Sequence, residues 1–319
     1  MSLGRELIVF ILIVIGILAG QGDAHAASWR SVRDRVMDLR ERGHFQQAYT
    51  VATSHTPRSA DELVDAEFIK GWIALRSLRS PEVAVRHFIR MAESTRKVSS
   101  SRRPRLQAQA GYWLGKSLIA LGRNSDARTI FTAAAAYPDT FYGLLSASEL
   151  KIGVTPQLLS GVAGRYPEKP LYWHDSRVRK ELVLAIIKHE SGFRAQVTSS
   201  KGAQGIMQVM PDTARHVGRS AGIDINLELM MKNPDYNIAV GSRYLADQVS
   251  RYHGNSMLAA AAYNAGPQKV DEWLKRFGDP RSGAVDPVDW VESIPYSETR
   301  DYVKKVIATY VTYMALAKK

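Results

Sequence analysis

The chain has 319 residues, 45% of them apolar and 23% charged, and no cysteine. That composition is globular, with room for two domains; it excludes a disulfide framework, a thiolate nucleophile and a Cys-based zinc site. The net charge of +12 favours anionic partners such as nucleic acid, lipid headgroups or an anionic wall polymer.

The first element in chain order is a leader. Arg5 supplies a positive charge, Leu7 to Leu18 is an apolar run, and "AHA" closes at Ala26. This is the order of a secretory signal peptide over residues 1–26. The run is short for a membrane span, although an uncleaved inner-membrane anchor is the alternative. Without Arg5, Glu6 and Asp23 the net charge is +13, from 42 basic and 29 acidic residues. Export to a periplasm makes nucleic acid the least fitting partner.

Residues 27–152 carry helical periodicity throughout. "YWLGKSLIALGRNSDARTIFTAAAAYP" holds Gly115, Ala127, Phe131 and Ala134, with Pro138 after them. These offsets resemble the helix–turn–helix spacing of a tetratricopeptide repeat. "EFIKGWIALRSLRSPEVAVRHFIRMA" is a second copy with Gly71, Ala84 and Phe88, and "RERGHFQQAYTVA" is a fainter third. The segment reads as stacked helical hairpins that support the second half of the chain; the other reading is a surface for a partner in wall-spanning machinery. "SSSRRPR", Ser99 to Arg105, reads as a basic loop between hairpins.

Residues 153–177 hold three prolines and three glycines and read as a linker. The second domain comes next, over 178–319. Its first helix is "RKELVLAIIKHES", ended by Gly192. Asn233-Pro234 predicts a capped helix running to about Tyr252, with Gly254 as its stop. Asn255 and Ser256 precede "MLAAAAYN", ended by Gly266-Pro267. "QKVDEWLKRFG" is short, and "ETRDYVKKVIATYVTYMALAKK" is long and amphipathic. No strand stands out, a small hairpin near Gly202 to Met210 excepted.

The chemistry concentrates at Glu190. Val183, Ile186, Ile187 and Glu190 lie at i, i+3, i+4 and i+7, which puts the carboxyl on the apolar face. It also falls in the last helical turn, where free carbonyls carry negative charge. Both settings disfavour ionisation, and a carboxylic acid protonated near neutral pH suits general acid catalysis. The competing reading is a helix-end Glu that turns outward or pairs with Arg194. Other chemistries fail on the same residues. Phe193 stands where a zinc-protease helix needs its second His. Ser191 lacks a G-x-S-x-G elbow, and "GAQG" is no phosphate loop. No metal or other cofactor is expected. From Ser191 to Pro211 there is no second acid. Ser199, Gln204 and Gln208 offer neutral hydrogen-bonding groups, and Met207 and Met210 offer apolar contact, one of them expected in the core. That mixture suits sugar rings.

Three blocks, "ESGFRAQVTSSKGAQGIMQVMP", "AAAYNAGP" and "VESIPYSETRDYV", stand in order at Glu190, Ala260 and Val291. Together they resemble the soluble lytic transglycosylases of bacterial cell walls, and the repeats resemble that family's superhelical platform. The resemblance implies a mainly α fold, with tetratricopeptide-like hairpins followed by a lysozyme-like helical catalytic domain. It implies cleavage of the β-1,4 bond between N-acetylmuramic acid and N-acetylglucosamine in peptidoglycan. Glu190 matches the family's single catalytic acid/base. Ser199, Gln208 and Met210 match groove residues. Tyr263 and Asn264 match the "AYNAG" block, where Tyr263 would steady the carboxylate. Glu292 matches an acid that contacts substrate. Lys201 and Gln204 stand where the family varies, which leaves subsite preference open. The repeat region is much shorter than in the largest members, which argues against a closed ring-shaped platform. The expected state is a monomer. A hydrolytic muramidase and a non-enzymatic wall-binding adaptor are the alternatives.

Overall fold

The computed structural model describes residues 28–159, 174–222 and 224–317. The expected leader and most of the expected linker lie outside the described residues. The described residues are helical, with two isolated antiparallel bridges in one loop.

Seven helices precede the linker. They are α1 (Trp29–Glu41), α2 (Phe45–Ser54), α3 (Ala60–Arg76), α4 (Pro81–Ser94), α5 (Arg103–Ala120), α6 (Asn124–Ala135) and α7 (Phe141–Glu149). α1 with α2, α3 with α4 and α5 with α6 form three antiparallel hairpins, which agrees with the three sequence copies. The small residues do what the spacing predicts. A Cβ at Gly115 would lie 2.4 Å from the Phe131 ring, and one at Gly71 would lie 2.8 Å from Phe88. Each glycine thus receives an aromatic ring from the second helix of its hairpin. Stacking the hairpins builds an aromatic core around Trp72, Phe88, Trp113 and Tyr142, all buried. The expected basic loop ends earlier than its composition suggests. α5 already begins at Arg103, because Pro104 fits the first helical turn, where no N–H is needed.

Buried charge in this domain is paired. Glu67 accepts from Lys70 at 3.0 Å, from Arg90 at 3.1 Å, and faces His87 Nδ1 at 2.8 Å. Burial alone would raise its pKa. The hydrogen bonds from His87 and Lys70 outweigh that and hold it at about 2.

Eight helices come after the linker: α8 (Lys180–Glu190), α9 (Pro211–Ala221), α10 (Leu227–Lys232), α11 (Pro234–Arg251), α12 (Ser256–Ala265), α13 (Pro267–Phe277), α14 (Pro287–Ser293) and α15 (Ser297–Leu316). The expected caps form. Asn233 Oδ1 accepts from the amides of Asp235 and Tyr236, and Asn255 Oδ1 accepts from that of Leu258. α8 is buried along Leu182 to Ile187 and packs against α15.

α14 joins the two halves. Val288 is part of the repeat core, while Trp290, Val291 and Ile294 belong to a core shared with α12, α13 and α15. Polar ties reinforce the joint. Asp289 accepts from Trp72 Nε1 at 2.7 Å and pairs with Arg76 at 3.0 Å. Arg276 pairs with Glu41 across the same boundary. The first seven helices therefore pack directly against the later ones.

Candidate active site

Glu190 is the last residue of α8, as its position before Gly192 predicts. Its carboxyl is half-buried and Oε1 accepts from the Tyr302 hydroxyl of α15 at 2.6 Å. Arg194 does not pair with it; that guanidinium donates to the Ser191 carbonyl at 2.8 Å instead. Burial is the main cause that raises the Glu190 pKa, to about 7. The Tyr302 bond opposes this, and the charge of Glu298 adds to it. A donor bound to the carboxylate favours its charged form, so Tyr302 tunes the proton affinity downward. The Tyr302 hydroxyl is itself held well above its ordinary range, by burial and then by Glu190, so it remains a donor.

The family resemblance assigns that steadying role to Tyr263. The structure places Tyr263 nearby, since the Glu190 charge acts on it. Its hydroxyl, however, donates to the Met207 carbonyl at 2.9 Å. Tyr263 therefore ties α12 to the loop beside the carboxyl, and Tyr302 holds the carboxyl itself. Sequence reasoning misses Tyr302. It sits in the "SETRDYV" stretch, whose helical periodicity reads equally well as core packing.

The loop after α8 is built by its own polar groups. Ser199 Oγ accepts from the Ala203 amide at 3.0 Å, which closes a turn. Gln204 bridges to Thr198 and to Val209, the small hairpin that the sequence allows. Gln208 has a left-handed backbone, φ 49°, held by its side-chain amide, which donates to the Val197 and Gly205 carbonyls at 3.0 and 2.8 Å. Gly205 has φ +75°, and a Cβ there would lie 2.2 Å from the Asn237 amide. Asn237 of α11 is a second residue that sequence reasoning misses. Its Oδ1 accepts from the Met207 amide at 2.9 Å, and its Nδ2 donates to the Gln204 and Met230 carbonyls at 2.9 Å. One buried amide thus locks three backbone groups of the site, which no local pattern could reveal. Met207 is fully buried, whereas Met210 is 41% exposed. One methionine is core and the other faces solvent, as expected.

Two further candidates stand apart from the carboxyl. Asn264 Oδ1 accepts from the Thr299 hydroxyl at 2.7 Å and so ties α12 to the start of α15. Glu292, expected to contact substrate, sits in a buried cluster of ion pairs. It is 1% exposed and lies at the joint between the domains. There it accepts from Tyr142 at 2.5 Å and from Lys304 at 2.8 Å. Its carboxylate is engaged by Tyr142 and by Lys304 and Arg300 of α15.

Among the described residues no group of three or more His, Asp or Glu is arranged to hold a metal ion. None of their helices is long and apolar enough to cross a membrane.

A half-buried carboxyl at a helix end, held by a tyrosine and with a raised pKa, has the setting of a general acid. Residues 173–283 match the family model described as the transglycosylase SLT domain. That stretch shares its domain type with the lytic transglycosylases that the chain resembles in sequence. The chain is 39% identical over 138 residues to the soluble lytic murein transglycosylase of Salmonella typhimurium, a match that covers 43% of this chain and 21% of that protein. It is 30% identical over 156 residues to the membrane-bound lytic murein transglycosylase C of Actinobacillus pleuropneumoniae, covering 43% and 42%. The chain thus spans about a fifth of the length of the soluble relative. The 70-kDa soluble lytic transglycosylase of Escherichia coli aligns over 96% of this chain and 75% of its own, with a TM-score of 0.56 at 18% identity. The fold likeness therefore extends to the repeats as well as the SLT domain.

Proposed function

We propose that this protein is a peptidoglycan lytic transglycosylase with Glu190 as its single general acid/base. The reading rests on one observation above the others: a lone carboxyl with a pKa of about 7, half-buried and held by Tyr302, in an SLT domain. At neutral pH a large fraction of it carries a proton for the leaving glycosidic oxygen.

Most glycosidases need two carboxylates. Glu298, whose charge reaches Glu190, is exposed. The substrate can supply the missing nucleophile. Protonated Glu190 gives its proton to the bridging oxygen as the bond to the anomeric carbon breaks. The muramic acid acetamido oxygen shields that carbon. Ionised Glu190 then takes the proton of the C6 hydroxyl, whose oxygen closes the 1,6-anhydro ring. Glu190 ends protonated, as it began, and no water is consumed. Ser199 and Gln208 shape the loop against which the sugars lie, and Met210 offers an exposed apolar contact. Residues 1–26 act as the export leader, residues 27–152 as a support domain and 178–319 as the catalytic domain, working in the periplasm on glycan strands.

Digestion of purified sacculi followed by mass spectrometry tests this. Anhydromuropeptides, one water lighter than hydrolysed products, are expected. Reducing-end muropeptides would replace the reading with a hydrolytic muramidase, and binding without cleavage would replace it with an adaptor. Glu190→Gln should lower turnover by about 10²–10⁴-fold, the contribution typical of a positioned acid/base.

A further inference from the structure

We propose that Tyr142, on the repeat domain, is a positioning residue for the Glu190 carboxyl, acting through Glu292, Lys304 and Tyr302. Polar contacts reach α15 from both sides. Tyr142 of α7 donates to Glu292 Oε1 at 2.5 Å. The same oxygen accepts from Lys304 of α15 at 2.8 Å, and Arg300 of α15 pairs with the other oxygen at 3.7 Å. On the far side of α15, Tyr302 donates to Glu190 at 2.6 Å.

Helix geometry makes this a lever. Arg300 and Lys304 are four residues apart, so they share a face, and Tyr302 between them points to the opposite one. The grip of Glu292 on one face thus sets how closely the other face approaches α8. Thr299 with Asn264 at 2.7 Å and Thr309 with His189 at 2.8 Å steady α15 on either side of Tyr302.

The link runs along one side of a cavity. Tyr142, Glu292, Arg300 and Lys304 border a cavity of about 950 Å³ between the repeats and α15, into which His189 and Met91 also face. The polar bridge borders that space, where α7 packs against α15. Burial and then the Glu292 charge keep the Tyr142 hydroxyl well above its ordinary range, so it stays a donor. The groups acting on Glu190 are Tyr302 and Glu298 of α15 and Tyr263 of α12. Those acting on Glu292 are Tyr142, Lys304, Arg300 and, through charge, Arg33 of α1. Tyr142 touches only the second set, so its influence on Glu190 has to pass along α15.

The kinetic side rests on the proposed function, so the primary test does not use activity. The Glu190 titration is followed by carbon-13 NMR of protein labelled at the Glu side-chain carboxyls, the resonance assigned by its loss in Glu190→Gln. Tyr302→Phe removes a donor to the carboxylate and should raise the Glu190 pKa. Tyr142→Phe should raise it in the same direction by less. The double variant should match Tyr302→Phe alone, since both act through one bond. The alkaline limb of kcat/KM should move with the titration, with KM unchanged. A folded Tyr142→Phe protein whose Glu190 titrates as in the wild type would overturn the proposal, and so would fully additive shifts. If Tyr142→Phe does not fold, Lys304→Gln at the edge of the cavity interrupts the same link and carries the same expectation. A shifted titration in a protein that cleaves nothing would refute the enzymatic reading and leave the positioning role standing.

Discussion

Glu190→Gln separates the proton affinity of this carboxyl from any assumption about the reaction. An ordinary carboxyl titrates at 4.5, and burial raises that of Glu190 to about 7. The folded protein therefore holds this proton more tightly than the unfolded chain does. Below about pH 4.5 both states are protonated and nothing is lost. From there to about pH 7 the unfolded chain releases its proton while the folded one retains it, so stability falls with rising pH. At about 1.36 kcal/mol for each pH unit separating the two pKa values, the full loss approaches about 3 kcal/mol above pH 7. Partial exposure and solvent screening bring the expected value to about 1–3 kcal/mol. Gln resembles the protonated acid in shape and has no proton to lose. Glu190→Gln should therefore be more stable than the wild type by about 1–3 kcal/mol at pH 8.5 and within about 0.5 kcal/mol of it at pH 4. Urea unfolding at both pH values, followed by circular dichroism, measures this. A gain that is the same at both pH values, or no gain at either, would refute the assignment of a raised pKa.

Further variants probe the scaffold. Glu67 has its pKa held near 2 by His87 and Lys70, so its contribution is complete above about pH 4.5 and is lost as pH falls toward 2. Glu67→Ala should cost about 3–5 kcal/mol by stranding the buried Lys70 ammonium, and the loss should shrink in acid titrations of stability. Gly115→Ala places a methyl 2.4 Å from the Phe131 ring and should cost about 1–3 kcal/mol of overpacking in urea unfolding. Asn237→Leu strands one carbonyl and one amide of the site loop and the Met230 carbonyl of α10. It should lower stability by about 1–3 kcal/mol or more, and faster amide exchange at Met207 would report the released N–H.

Local signals carried much of the architecture. Glycine and proline stops, Asn caps and the 3.6-residue period placed the hairpins and most of the helices after the linker, because those features act over one or two turns of chain. The position of Glu190 on the apolar face near a helix end was equally local, and burial there does raise its pKa. Partners distant in sequence were another matter. Tyr302 is 112 residues from Glu190, and nothing near either one says which tyrosine reaches the carboxyl; Tyr263 had the same chemistry to offer. Asn237 reads as an ordinary helical polar residue until three backbone groups converge on it. Glu292 shows the limit most plainly. Its motif made it a substrate contact, while packing the repeats onto α14 enclosed it beside Tyr142 and Lys304. The residue types and the helices were determined by the sequence alone. The assignment of each carboxyl to proton transfer or to holding the domains together came only with the tertiary structure, since desolvation and donor placement depend on helices that the chain brings together from far apart.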